Sequence, residues 1–214
     1  MSKVKGVRRY DSSLRTAQAG QTRLRILEAA QQLFAERGYA ATTMDAIASA
    51  AGVAPDTVYA SFGSKTGLLH RLLDVRVGGD EAPVPLLERE GPKSVRALPT
   101  QRRQVVGFAA DISEILERAR PVDDIMRGAA GVDPEIAALR GRMQETRYEN
   151  IRQFVSWLAA KGPFRGGMSE QEAAAHVWTL ASPEVHGLLR RERGWTKDRY
   201  AAWLADTLTR TLLP

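Results

Sequence analysis

The stretch IASAAGVAPDTVYASFGSK, Ile47 to Lys65, sets two very short helical patterns side by side in a chain whose other patterns are long. A glycine separates them, and the second runs out on a Tyr, a Phe and a Lys. Ala48 is small where two helices must approach closely. Gly52 falls where the connecting turn needs a permissive backbone, and Val58 is placed to point into a core. Two helices this short bury little surface by themselves and need a third behind them. The pattern from Gln21 to Arg37 supplies it, with Ile26, Leu27, Ala30, Leu33 and Phe34 on one helical face. The arrangement is that of a helix-turn-helix, whose second helix lies in the major groove of DNA.

The flanking residues fit the same frame. Gly38 stops the first helix and lets Tyr39 pack back on Phe34. Thr43 is placed to cap a helix starting at Met44, with Asp45 favourable in its first turn. Pro55 suits the first position of the next helix, which runs to about Ser61. Ser64 caps a fourth that carries Leu68, Leu69, Leu72 and Leu73. Phe62 is expected to plug the three-helix core. Tyr59 presents a hydroxyl suited to a phosphate oxygen, and Lys65 sits where an ammonium and first-turn N–H groups make an anion site. If Val58 and Phe62 face in, Thr57 and Ser61 face out, either as readers of base edges or as plain solvated positions. Thr43 is a cap first, with a phosphate contact on top. Asp56 either favours the helix dipole or accepts from a cytosine amino group.

The residues TTMDAIASAAGVAPDTVYASFGSKTGLL, 42–69, preceded by LFAERGYAATT, resemble the signature of the TetR family of bacterial transcriptional regulators. The order Ile47-Ala48, Ala51-Gly52-Val53, Tyr59, Phe62, Lys65, Leu68 carries the resemblance, which is close over about residues 21–73. One departure is Ala54, where the family often has Ser, Thr or Asn before the recognition helix. Its missing side-chain cap is worth about 1 kcal/mol, which Pro55 and Asp56 partly offset. The resemblance implies an all-α protein: an N-terminal three-helix DNA-binding domain, then a helical domain for ligand binding and dimerisation. It implies a homodimeric repressor on a roughly palindromic double-stranded DNA operator, released by a small-molecule effector.

Composition agrees. The chain has 214 residues, 43% of them hydrophobic, no cysteine and a net charge of +6. Disulfides, thiolate metal sites and cysteine nucleophiles are excluded. No apolar run is long enough for a membrane span, and MSKVKGVRRYDSS has no apolar core of a secretory signal. A cytoplasmic protein without a membrane role is expected. Residues 1–70 carry nine Lys/Arg against five Asp/Glu, so the basic surplus concentrates at the end that would meet DNA. A modest basic bias also serves solubility alone. The expected organisation is a flexible basic arm over 1–20, the DNA-binding unit with its connecting helix over 21–77, and the second unit over 78–214. Lys3, Lys5, Arg8 and Arg9 of the arm either enter a minor groove or form a solubilising tail.

Residues 78–100, rich in Gly and Pro, read as a break or loose connection. Helices are expected beyond it over roughly 100–119, 122–130, 134–161, 170–192 and 196–213, with Ser169 and Glu172 as a capping box and a restart at Ser182-Pro183. Phe108, Ile112, Ile115, Met126, Met143, Phe154, Trp157 and Trp178 recur at helical spacing. All but Ile115 are nominated as walls of an effector pocket, although most of them are expected to be ordinary core. They point to a small apolar or aromatic effector. Val177, Leu180, Leu188, Tyr200, Trp203, Leu204 and Leu208, on the last two helices, are nominated as the dimer interface, two copies making a four-helix contact. His176 and His186 have no carboxylate or second His at ligand spacing, so no metal is expected, and no cofactor either. No phosphate loop, nucleophile elbow or H-E-x-x-H occurs, and Asp123 and Asp124 lack a partner with a role, so no catalytic residue is nominated and an enzyme is not expected. A second reading stays open: a DNA-binding protein with no small-molecule effector, whose C-terminal domain serves only dimerisation or a protein partner.

Overall fold

A computed structural model describes the backbone of residues 10–214 and the side chains from residue 15 onward. Every regular element among the described residues is helical. The chain forms two compact units, one extending to Leu72 and one over Leu73–Pro214. The division falls inside a helix rather than in the Gly/Pro-rich stretch that follows it.

The first unit contains α1 (Tyr10–Ala41), α2 (Met44–Ala51), α3 (Pro55–Phe62) and the start of α4 (Lys65–Gly78). α1 begins well before Gln21. Residues 10–20 are therefore helical where a flexible arm was expected, while the remaining arm residues, with Lys3, Lys5, Arg8 and Arg9, lie outside the described residues. The apolar period is missing from the first turns of α1 because residues 15–19 are exposed. Hydrophobic period reports burial, not helicity, and Ala- and Gln-rich sequence forms helix without it. Gly38, with φ 79° and ψ 162°, breaks α1 near its end. The ring of Tyr39 then returns to 5.4 Å from that of Phe34. Ile26, Ala30, Ile47, Ala48, Val58, Leu68, Leu69 and Leu72 are all fully buried, so all four helices contribute to the core of this unit.

The second unit contains the end of α4, a 3-10 turn over Leu86–Glu88, α5 (Glu90–Ala97), α6 (Gln101–Ala130), α7 (Pro134–Ala159), α8 (Glu170–Leu180), α9 (Pro183–Gly187) with a π turn over Leu188–Glu192, and α10 (Lys197–Leu212). α6 is one helix through Pro121, where a break was expected. The proline costs one hydrogen bond, but flanking turns buried through Leu116, Ala119, Val122 and Met126 hold the helix together. The Ser169–Glu172 capping box is formed in both directions, and Ser182 and Thr196 cap α9 and α10. α6, α7, α8 and α10 enclose the main core, built on Val105, Phe154, Leu158, Val177, Tyr200 and Leu204. No helix among the described residues is long and apolar enough to cross a membrane.

Four of the seven nominated interface residues belong to that core. Val177, Tyr200, Leu204 and Leu208 are fully buried within one protomer and have no surface left for a second copy. Tyr200, Leu204, Leu208 and Leu212 recur every four residues because they line the inward face of α10. Leu180 and Trp203 are half-buried, and Leu188 is 52% exposed.

Candidate functional site

Two places in the chain have the geometry of a site. The first is built on α2 and α3. Thr43 caps α2, its hydroxyl accepting from the Ala46 N–H at 3.1 Å. Gly52 ends α2 in the left-handed conformation, φ 65° and ψ 41°, and its N–H returns to the Ala48 and Ser49 carbonyls. α3 starts at Pro55 without a side-chain cap from Ala54, and Asp56 lies in its first turn. Val58 is buried and Phe62 half-buried, which turns the other face of α3 outward. Asp56, Tyr59 and Ser61 are exposed, Tyr59 to 49%, and Thr57 is partly so. The Ser61 hydroxyl donates to the Thr57 carbonyl at 2.8 Å, so Ser61 can meet a further group only as an acceptor.

Lys65 is tied into the fold more firmly than its spacing suggested. Its ammonium donates to the Tyr39 carbonyl at 2.9 Å and the Thr42 carbonyl at 3.0 Å, and lies 4.3 Å from the centre of the Tyr39 ring. An ammonium has three donors, so one remains for a phosphate. Two supporting residues escaped notice in the sequence. Thr42 is buried, its hydroxyl donating toward the Gly38 carbonyl at 2.9 Å with the Leu33 carbonyl at 3.2 Å, and Thr66 lies 3.1 Å from the Tyr39 hydroxyl. A polar residue directly after a broken helix was the available signal.

The second place is an apolar cavity of about 170 Å³ inside the unit formed by Leu73–Pro214. Phe108 and Ile112 of α6 and Met143, Phe154 and Trp157 of α7 are in its wall, and the Phe108 and Phe154 rings stack at 4.1 Å. Met126 and Trp178, nominated with them, are not. Met126 is fully buried in the stretch of α6 and α7 that also buries Val122, Ile136 and Leu139. Trp178 follows Val177 by one residue, about 100° around α8, and packs half-buried against the edge of the core that Val177 fills, outside the cavity wall. It packs edge-on to Tyr148 and under the Arg147 guanidinium.

Sequence reasoning missed the polar members of the wall: Asp111 and Asp123 of α6, and Gln144, Thr146, Arg147 and Asn150 of α7. Their signal was positional. Phe108, Ile112, Ile115, Ala119 and Asp123 follow one another at three- and four-residue steps, so Asp123 stands on the apolar face of α6. Burial pushes the Asp123 and Asp111 carboxyls up, opposed by Arg140 at the first and Arg118 at the second. Arg147 is held down to about 10 by burial, yet stays charged. Its guanidinium donates to the Trp178 carbonyl and, at 3.2 Å, to Gln144 Oε1. Asp124, next to Asp123, is by contrast paired with Arg120 at 2.7 Å and with Arg127.

The histidines also need correction. His186 does have a carboxylate beside it, from α6 and therefore invisible to local spacing. Glu117 Oε1 lies 2.9 Å from His186 Nε2, while the same carboxylate binds Arg190 through both oxygens. The Arg190 guanidinium, before burial and His186, sets the direction at Glu117, whose carboxyl is lowered. Burial lowers His186 and outweighs Glu117, keeping the ring neutral. His176 is exposed.

Comparison with known proteins matches the first of these places. The model of the family described as "Bacterial regulatory proteins, tetR family" matches residues 26–72. The chain is 44% identical over 178 residues to the HTH-type transcriptional regulator TtgR of Pseudomonas putida, covering 81% of each. It is 24% identical over 200 residues to the HTH-type transcriptional repressor BepR of Brucella suis, covering 92% of this chain and 94% of that one. The fold is similar to that of NalD, described as the secondary repressor of the MexAB-OprM multidrug efflux pump in Pseudomonas aeruginosa, with a TM-score of 0.69 at 22% identity, covering 92% and 98% of the two chains.

Proposed function

The chain belongs to the TetR family and is a helix-turn-helix DNA-binding transcriptional regulator, and from that premise we propose that it is a cytoplasmic repressor, released from its operator by a small apolar or aromatic molecule. The family's members are regulators, not enzymes. The single observation that carries the effector reading is the cavity, a void with an apolar wall where a domain serving only dimerisation would be packed solid.

In this reading α3 enters the major groove. Tyr59, Thr43 and Lys65 position the protein on phosphates, and Thr57, Ser61 and Asp56 meet base edges. A homodimer sets two copies of α3 about 34–36 Å apart, one turn of DNA, so the operator is a rough palindrome. Leu73 and Val77, in the cavity wall, belong to the same helix as Lys65, which makes α4 the lever between effector and DNA. An effector shifts the balance only by its differential affinity for the DNA-binding and released states.

The test has two steps. An operator is selected from random duplex DNA with the purified protein, and a library of neutral, apolar and aromatic small molecules is screened by thermal shift. Compounds that stabilise the protein should lower its affinity for the selected operator. If every stabilising compound leaves operator affinity unchanged, the second reading, a regulator without an effector, takes its place.

A further inference from the structure

We propose that the cavity selects an apolar molecule carrying one protonated amine, and that Asp123 is the residue that receives the amine. The inference rests on the reading of the cavity as an effector site and adds the chemical class of the effector.

Asp123 is 7% exposed and lines the cavity. Its Oδ2 is buried and has no hydrogen-bond partner. Its Oδ1 faces Arg140 Nε at 4.0 Å, too far for a hydrogen bond, because Arg140 gives its Nη2 to Glu184 at 2.9 Å. A buried carboxylate oxygen without a donor is costly, and a chain retains one where something else supplies the donor. The surroundings narrow that donor. Asp111 adds a second desolvated carboxyl to the same wall. Arg147 is the one basic residue in the wall, and its guanidinium is turned to the Trp178 carbonyl and to Gln144, with the Trp178 ring 4.9 Å away. Trp157 Nε1 in the wall and Arg140 Nε beside Asp123 are also buried without an acceptor, but at the Asp123 carboxylate the unmet demand is for a hydrogen-bond donor, and the wall's own charged groups, two carboxyls against one guanidinium, lean negative. A cation that donates meets both demands, and a charge-assisted pair is stronger in this apolar setting than in water. Phe108, Ile112, Phe154 and the Trp157 ring give the rest of the ligand a mostly apolar surface. One amine on an aromatic or alkyl body is the chemistry that fits.

The experiment uses three probes with a single apolar body: 4-phenylbutylamine, 4-phenylbutan-1-ol and 4-phenylbutanoic acid. Binding to the full chain is measured by calorimetry at pH 7, with the wild type and with Asp123→Asn. The amine should bind the wild type about tenfold more tightly than the alcohol, and the acid more weakly than either. In Asp123→Asn the amine's advantage should shrink to about twofold while the alcohol's affinity holds. The comparison among probes on the wild type needs no variant, so the test stands even if Asp123→Asn folds poorly. Equal binding of amine and alcohol, tighter binding of the acid, or an amine advantage that survives Asp123→Asn would overturn the proposal. Each of those outcomes leaves the cavity a ligand site. Binding by none of the three counts against the amine site, and only the operator-release screen then decides whether the cavity takes an effector at all.

Discussion

Asp123 carries an acid where the period of α6 calls for an apolar side chain, and its titration can be read without any ligand. Burial raises its carboxyl above the ordinary value of 3.8, so the folded chain holds that proton to a higher pH than the unfolded chain does. Stability from this group is present below 3.8 and is lost as pH rises through the raised value. Asp123→Asn removes the group, so the variant should be more stable than the wild type at pH 7 by about 1–3 kcal/mol. The difference should close as pH falls toward 4, as measured by urea unfolding across a pH series. A variant less stable at pH 7 would mean that Arg140 pairs with Asp123 in earnest. On the DNA-facing side, the residues divide by charge. Lys65→Ala should weaken binding to all duplexes and flatten the salt dependence by about 0.9 for each phosphate that is no longer neutralised. It also strips two carbonyls of their donor, so it should cost about 1–3 kcal/mol of stability without DNA. Tyr59→Phe should weaken binding uniformly with little change in salt slope, since the charge is unaltered. Thr57→Ala should cost about 1–3 kcal/mol at one base pair per half-site and leave the ranking elsewhere intact. Binding to an operator-variant panel at two salt concentrations, well below the unfolding temperature, reads all three. A Lys65→Ala protein with redrawn base preference would undo the division.

The turn between α2 and α3 is the element on which the reading face depends. Gly52 sits at φ 65°, and a Cβ built there would meet nothing within 4 Å. Replacement therefore costs backbone conformation alone, about 1–2 kcal/mol for Ala and less for Asn. Thermal unfolding should rank the wild type above Gly52→Asn and Gly52→Ala below both. An alanine variant as stable as the wild type would show that the left-handed turn is dispensable. This turn, the cap at Thr43 and the Phe34–Tyr39 contact were all readable in the sequence, because each rests on residues only a few positions apart. Three features were not, for one shared reason. Residues 15–19 of α1 are exposed, so they leave no apolar period. Pro121 is carried by the packing of the turns around it. His186 meets a carboxylate sixty-nine positions earlier in the chain. In each case the deciding partner is solvent or a distant segment, and local spacing is blind to both. The cavity wall is a mixed case. Phe108, Ile112, Met143, Phe154 and Trp157 stood out by type and period, whereas Trp178 has the same type and faces elsewhere by one step of the helix.

At the scale of the whole molecule, the open matter is which apolar surface a second copy would cover. Apolar residues at helical spacing describe a protomer's own core and a subunit interface equally well, and α10 shows the consequence. Its stripe from Tyr200 to Leu212 is consumed inside one chain. A dimer built on the last helices must use what the core leaves exposed: Leu188, half-buried Leu180 and half-buried Trp203. Large apolar and aromatic side chains with accessible area are what subunit interfaces bury. Two substitutions separate the roles. Leu188→Glu places a charge on a residue that is 52% exposed in the protomer, so it should change protomer stability by less than about 0.5 kcal/mol. In a desolvated interface the same charge has no partner, and sedimentation at micromolar concentration should shift from dimer toward monomer. Leu204→Ala removes a side chain that is fully buried. It should cost the protomer about 2–5 kcal/mol in urea unfolding. Below its unfolding midpoint it should sediment as the wild type does, because Leu204 has no surface to offer a partner. The reverse pattern, a dimer indifferent to Leu188→Glu and dissociated by Leu204→Ala with the protomer still folded, would return the interface to the stripe on α10.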